Sequence, residues 1–230
     1  STPDTIGHSY GPDSHEVMDN AVRTDRILAD LFQFLDRHVG LDRCTLVLTA
    51  DHGAAPIPEV VASTQRGVPA GRAKSADVLR ATETALNERF GPLANKERWL
   101  VNDDCALLIH PQALAEKKLT SSEVEQVVRD ALLKLPFVRA AYTRTDLLRW
   151  IAPGEWGRHM LASFHPERSA DVLFQLQPYF LLSSRTHGTT HGTPYNYDTH
   201  VPLLWFGVGV TPGVRTERVG VDDLAPTLSR

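Results

Sequence analysis

Apolar residues recur every three or four positions between Asp13 and Val39, at Met18, Ala21, Val22, Leu28, Leu31, Phe32 and Leu35. That spacing predicts one long amphipathic helix with the stripe in the core. Asp13 and Glu16 have the spacing of a capping box at its start, and Gly40 suits its end. A short connection then leads into residues 44–50, whose β-branched and apolar run predicts a buried strand. Together they form an αβ unit of a layered sheet. Further along, residues 75–90 read as a helix with Val78, Leu79, Leu86 and Phe90 inward. Residues 99–101 and 106–109 flank Asn102-Asp103-Asp104 as a hairpin, and Thr120 with Glu123 opens a capped helix to about Leu135. Strands are predicted at 137–143, 170–176, 179–182 and 201–207, and a short helix at 146–151.

Between these elements the composition shifts. Residues 54–74 hold Pro56, Pro58, Gly67, Pro69 and Gly71 and read as irregular. The pattern divides the chain into a core at 1–53, an inserted α+β lobe at 54–168 and a second part of the core at 169–230. The arginines near the end of that lobe, with Trp150, Trp156 and His159, read as surface and packing residues. Hydrophobic content of 42% and charged content of 23% are those of an ordinary globular protein. A net charge of −4 without any Lys/Arg run excludes a nucleic-acid groove, and no apolar run is long enough for a membrane span in this segment. Cys44 and Cys105 stand among apolar residues and read as buried thiols. Ser1 is not a start methionine, and the helix start at 222–228 runs to the last residues, which reads as a segment of a longer protein.

The chemistry gathers in three polar loops. Thr49-Ala50-Asp51-His52-Gly53 closes the 44–50 strand, the usual ligand position of an open α/β sheet, and Gly53 permits a sharp turn there. Asp4 and His8 are four apart in a turn-rich opening, a loop or a single helical turn, and share a face if it coils. Residues 186–200 carry His187, His191 and His200 directly before a core strand. Imidazoles and carboxylates from separated loops suit zinc. Two such ions can clamp the attacking and leaving oxygens of a phosphoryl transfer.

The Asp4-x-x-x-His8 pair, Thr49–Gly53, and His191-Gly192-Thr193-Pro194-Tyr195-x-Tyr197-Asp198-x-His200-Val201-Pro202 together resemble the alkaline phosphatase superfamily. The likeness is nearest to the bacterial phosphate-irrepressible alkaline phosphatases, relatives of the nucleotide pyrophosphatase/phosphodiesterases. The resemblance implies an α/β fold, a layered sheet with helices on both faces, of which this chain is a C-terminal segment. It implies Asp4, His8 and His191 on one Zn2+, Asp51 and His52 on a second, and a Thr or Ser nucleophile upstream of Ser1, so no catalytic residue here. The implied reaction is hydrolysis of a small phosphate ester through a covalent phosphoryl-enzyme, in a periplasmic or secreted protein. Asp198 and His200 fall inside the motif as residues that brace the loop by hydrogen bonds, and His187 reads as a plain loop histidine. Within the superfamily a phosphodiesterase/nucleotide pyrophosphatase, a sulfatase or a phosphomutase are the rivals; outside it, a metal-binding remnant without chemistry.

Overall fold

In the computed structural model, which describes residues 2–94 and 97–229, the opening segment is helical and, at nine residues, longer than the single turn expected. Helix α1 (Thr2–Tyr10) ends where Gly11 takes φ 89° and its N–H reaches Gly7 O. Helix α2 (His15–His38) is capped by Ser14, whose hydroxyl oxygen accepts Val17 N–H at 3.2 Å, one residue later than the Asp13 expected. Strand β1 (Thr45–Thr49) follows a 3₁₀ turn at Leu41–Arg43. The chain then runs through α3 (Pro58–Thr64), β2 (Gly71–Ala73), α4 (Ser75–Phe90), β3 (Leu100–Asp103), β4 (Ala106–Ile109) and α5 (Pro111–Lys117). Next come α6 (Ser121–Leu132), β5 (Val138–Thr143), α7 (Arg144–Leu148), α8 (Gly157–Ser163), β6 (Val172–Leu176) and β7 (Phe180–Leu182). It ends with α9 (Asn196–Thr199), β8 (Leu203–Gly207) and α10 (Leu224–Leu228), giving an α/β fold.

Two compact units result. The first comprises Ser1–Pro56 with His187–Arg230, and the second Ile57–Thr186. In the first unit β1 and β8 pair antiparallel, Thr45 opposite Gly207 and Thr49 opposite Leu203. Leu46, Leu48, Leu204 and Phe206 share one face of this ribbon. Phe206 stacks on Phe32 of α2 at 5.4 Å between ring centroids. The apolar stripe of α2 is nevertheless not a buried core. Leu28, Phe32 and Leu35 are half-buried, while Met18 is 61% exposed and Val22, Ile27, Leu31 and Phe34 are also exposed. The reason is geometric. A helix of 24 residues is about 36 Å long, and strands of five residues span about 17 Å. Within residues 1–230 two such strands cover only part of it.

The second unit has its own closed core. A four-stranded sheet in the order β3-β4-β6-β5 packs against α4 and α6, with Leu86, Trp99, Leu100, Leu107, Val128 and Val172 fully buried. Trp99 satisfies its indole N–H on Asn87 Oδ1 of α4 at 2.9 Å. Thr120 and Glu123 form the expected capping box of α6. Strands β2 and β7 make a separate parallel pair. Residues 169–186, assigned above to the core, belong to this unit, because β6 pairs with β4 and β5. Helices α3 and α5 lie where the sequence pattern predicted none, yet each carries proline in its first turn, a recognisable start signal. Both cysteines are free; burial, followed by the neighbouring Asp104 carboxylate, pushes the Cys105 thiol up. Among the described residues no helix is long and apolar enough to cross a membrane.

Among the described residues of the second unit, one charged group is buried. Glu125 of α6 is 1% exposed and accepts the Thr145 N–H at 2.9 Å, capping α7. Burial, reinforced by Asp171, raises its carboxyl above the ordinary 4.5, against the hydrogen bonds from Thr145 and the nearby Arg144. The folded state therefore holds this proton more tightly than the unfolded chain does. The cost of ionising Glu125 is absent below the unfolded value and complete above the folded one, so this contribution falls as pH rises. Glu125→Gln keeps a side-chain acceptor for Thr145 without the charge. It is expected to raise the thermal midpoint at pH 8 and to lose that advantage at pH 4, as read by circular dichroism melts at both values.

Candidate metal centre

Helix α1 brings Asp4 and His8 onto one face, with Asp4 Oδ1 3.3 Å from His8 Nε2. His191 Nε2 stands 3.7 Å from the same oxygen and His52 Nε2 3.8 Å from it. Three imidazoles from three chain segments thus surround one carboxylate oxygen. Donor atoms of Asp4, His8 and His191 all lie within 4.8 Å of one another, a group able to hold a metal ion. The rings of His52 and His191 are stacked, 3.4 Å between centroids and 15° between planes, and His8 lies 5.0 Å from His191.

The histidines are held in the form a metal needs. A carbonyl oxygen can only accept, so the 2.8 Å contact of His8 Nδ1 with Thr189 O requires the proton on Nδ1. His52 Nδ1 likewise meets Gly53 O at 2.8 Å. Each ring is left with Nε2 as the free lone pair, and both turn that nitrogen toward Asp4. Burial, followed by the neighbouring His52 and His8, lowers the pKa of His191 against the pull of Asp4 and Asp198, which favours the neutral ring. Neutral imidazoles with a carboxylate are a donor set that fits zinc.

Backbone bonds knit the loops together. Gly53 N–H donates to Asp198 O at 2.8 Å, and Ala55 N–H to Thr190 O at 3.0 Å. Gly53 is required here for close approach, not for the sharp turn expected: a Cβ would overlap the Tyr197 carbonyl oxygen. Asp198, 4% exposed, accepts both the backbone N–H and the hydroxyl of Thr193, at 2.7 and 2.6 Å, through Oδ2. That fixes the turn carrying His191 two residues before Thr193. The other Asp198 oxygen, Oδ1, is buried with no hydrogen-bond partner among the described residues.

The remaining residues singled out in the sequence are more peripheral. Asp51 is 89% exposed, with Oδ2 3.7 Å from His52 Nε2. His200 is exposed and contributes its backbone N–H, to Asn196 O, closing α9. His187 is exposed as well. Trp156 and His159 contact each other in the second unit, at 5.7 Å between centroids. Sequence reasoning passed over Thr189, buried at 8% and bonded to His8 through its backbone. Its only signal was its place in the Gly-Thr-Thr run between two histidines.

The chain matches the family model described as type I phosphodiesterase / nucleotide pyrophosphatase over residues 1–194. It is 30% identical to the alkaline phosphatase PafA of Elizabethkingia meningoseptica over all of its own length and 41% of that protein. Identity is also 30% to the alkaline phosphatase PhoV of Synechococcus elongatus, of which it covers 40%. The crystal structure of wild-type PafA superposes on 99% of this chain with a TM-score of 0.87 at 29% identity, covering 42% of that chain. Human ectonucleotide pyrophosphatase / phosphodiesterase 5 shares the fold at 17% identity, with a TM-score of 0.62. The chain therefore spans about two fifths of the curated relatives it matches, 41% and 40% of their lengths. With the match running through α1, the Asp51–Gly53 loop and His191, the chain belongs to the type I phosphodiesterase / nucleotide pyrophosphatase family.

Proposed function

We propose that this chain carries five ligands of a two-zinc centre in a phosphoric ester hydrolase: Asp4, His8 and His191 for one ion, Asp51 and His52 for the other. The observation that carries the reading is the convergence of Asp4, His8 and His191 donor atoms within 4.8 Å. Bound zinc supplies charge neutralisation at the phosphoryl oxygens and a water of lowered pKa. The chain's own part is to orient Nε2 donors around the Asp4 carboxylate and to hold the two loops in register. The hydroxyl nucleophile comes from sequence outside residues 1–230, in keeping with a chain that covers 41% of PafA. That oxygen attacks phosphorus, the ester P–O bond breaks and the alcohol leaves. Water then hydrolyses the phosphoryl ester to inorganic phosphate. The substrate is a small phosphate monoester, and the whole protein works in the periplasm or outside the cell, as the resemblance implies. A diesterase is the second reading, favoured by the description of the matching family model.

Metal analysis of the whole protein is expected to return two zinc ions. His191→Ala is expected to lose one of them and at least ~100-fold in kcat/KM, since a metal supplies several kcal/mol to the transition state. Magnesium or calcium in place of zinc would refute the assignment.

Substrate preference is read from kcat/KM for a nitrophenyl monoester against a methyl nitrophenyl diester at alkaline pH. The monoester is expected to win; a clear diester preference selects the second reading. The 230-residue chain alone, saturated with zinc, is expected to show no robust turnover of nitrophenyl phosphate. Turnover that disappears in His191→Ala would place a complete site within these residues.

A further inference from the structure

The metal reading leaves unexplained why His8, on a helix of nine residues at the start of the chain, keeps a fixed ring orientation. The backbone of Gly188-Thr189 closes around it. Thr189 N–H donates to His8 O at 2.8 Å, and Thr189 O accepts from His8 Nδ1 at 2.8 Å. One peptide segment therefore holds both the backbone and the ring of His8. Gly188 makes the approach possible: it takes φ 75°, and a Cβ there would collide with the His8 carbonyl oxygen. Thr189 is itself anchored, because its hydroxyl donates to Ala55 O at 2.6 Å, in the loop that follows His52. Both Thr189 and Ala55 are buried, at 8% and 1% exposure, so water does not replace this bond readily.

We propose that Thr189 is a positioning residue, which uses its hydroxyl to pin the Gly188-Thr189 backbone to the His52 loop and thereby locks His8 as the Nδ1–H tautomer with Nε2 presented. The inference rests on the metal reading for its functional consequence, but the tautomer itself does not depend on metal. Thr189→Val keeps the shape of the side chain and removes the donor, leaving Ala55 O unpaired. Thr189→Ser restores the hydroxyl. Partners that orient a ligating histidine typically carry ~10–100-fold in metal affinity.

The test uses the purified protein in three forms: wild type, Thr189→Val and Thr189→Ser. Zinc affinity is measured by chelator competition, and the His8 tautomer by ¹⁵N imidazole NMR on metal-free protein, with metal-free melts as the check on folding. The expected result is an Nδ1–H tautomer for His8 in the wild type and zinc binding weakened ~10–100-fold in Thr189→Val but restored by serine. A wild-type His8 without a proton on Nδ1 overturns the proposal without any variant, so a valine form that does not fold cannot shield it. Wild type that binds zinc, with a folded Thr189→Val binding it equally well, also overturns the proposal. Wild type that binds no zinc overturns the metal reading, and the tautomer of the wild type and the valine form then judges the clasp alone.

Discussion

Everything in the first unit that bears on chemistry depends on one oxygen, Asp4 Oδ1. His8, His191 and His52 each direct Nε2 at it, from 3.3 to 3.8 Å. Imidazolium rings would repel one another at the 3.4 Å separation of His52 and His191, so the cluster is consistent with neutral rings around one anion. The carboxylate offers charge and the rings offer lone pairs, an arrangement that suits a cation better than it suits the protein alone.

Little apolar packing supports this centre. Its precision comes from hydrogen bonds between backbone groups of two loops, at Gly53 with Asp198, Ala55 with Thr190, and Thr189 with His8. Such bonds fix direction as well as distance, which a hydrophobic contact does not. The second unit is built the other way. Its sheet and two helices enclose a continuous apolar core, and polar pairs, exposed Asn87 with buried Trp99 and buried Glu125 with Thr145, serve that packing.

These two modes of construction explain what could be read from the sequence. In the second unit periodicity sufficed for α4, α6 and the β3–β4 hairpin, because burial there follows the spacing of Val78, Leu86, Leu107 and Val128. For α2 the helix itself was legible, and within residues 1–230 two short strands cover part of its equally regular stripe. Periodicity placed β6 in the wrong unit, since a strand's own pattern does not say which neighbour it pairs with. At the centre, Asp4, His8, His52 and His191 were legible as residue types in a spaced motif that resembles a family. Thr189 was not legible, because it acts through backbone groups every residue possesses, and only its position gives them meaning. Asp51 was legible in the same motif, and its exposed carboxylate stands 3.7 Å from His52 Nε2.

Chain order imposes a schedule on this architecture. Thr45 and Val208, bonded through the Thr45 hydroxyl, are 163 residues apart, and His8 and Thr189 are 181 apart. Everything needed for the second unit's core lies between those partners, in Ile57–Thr186. A ribosome adding ~5–20 residues per second completes that core while β1 still awaits β8 and His8 still awaits Thr189, for roughly 8–30 s. During that interval the β1 edge that β8 will cover, with Leu46 and Leu48 on it, is a surface that other nascent chains can capture. Synthesis thus finishes the packed unit before the Asp4, His8, His52 and His191 cluster can close: the first three are made early and wait for the fourth.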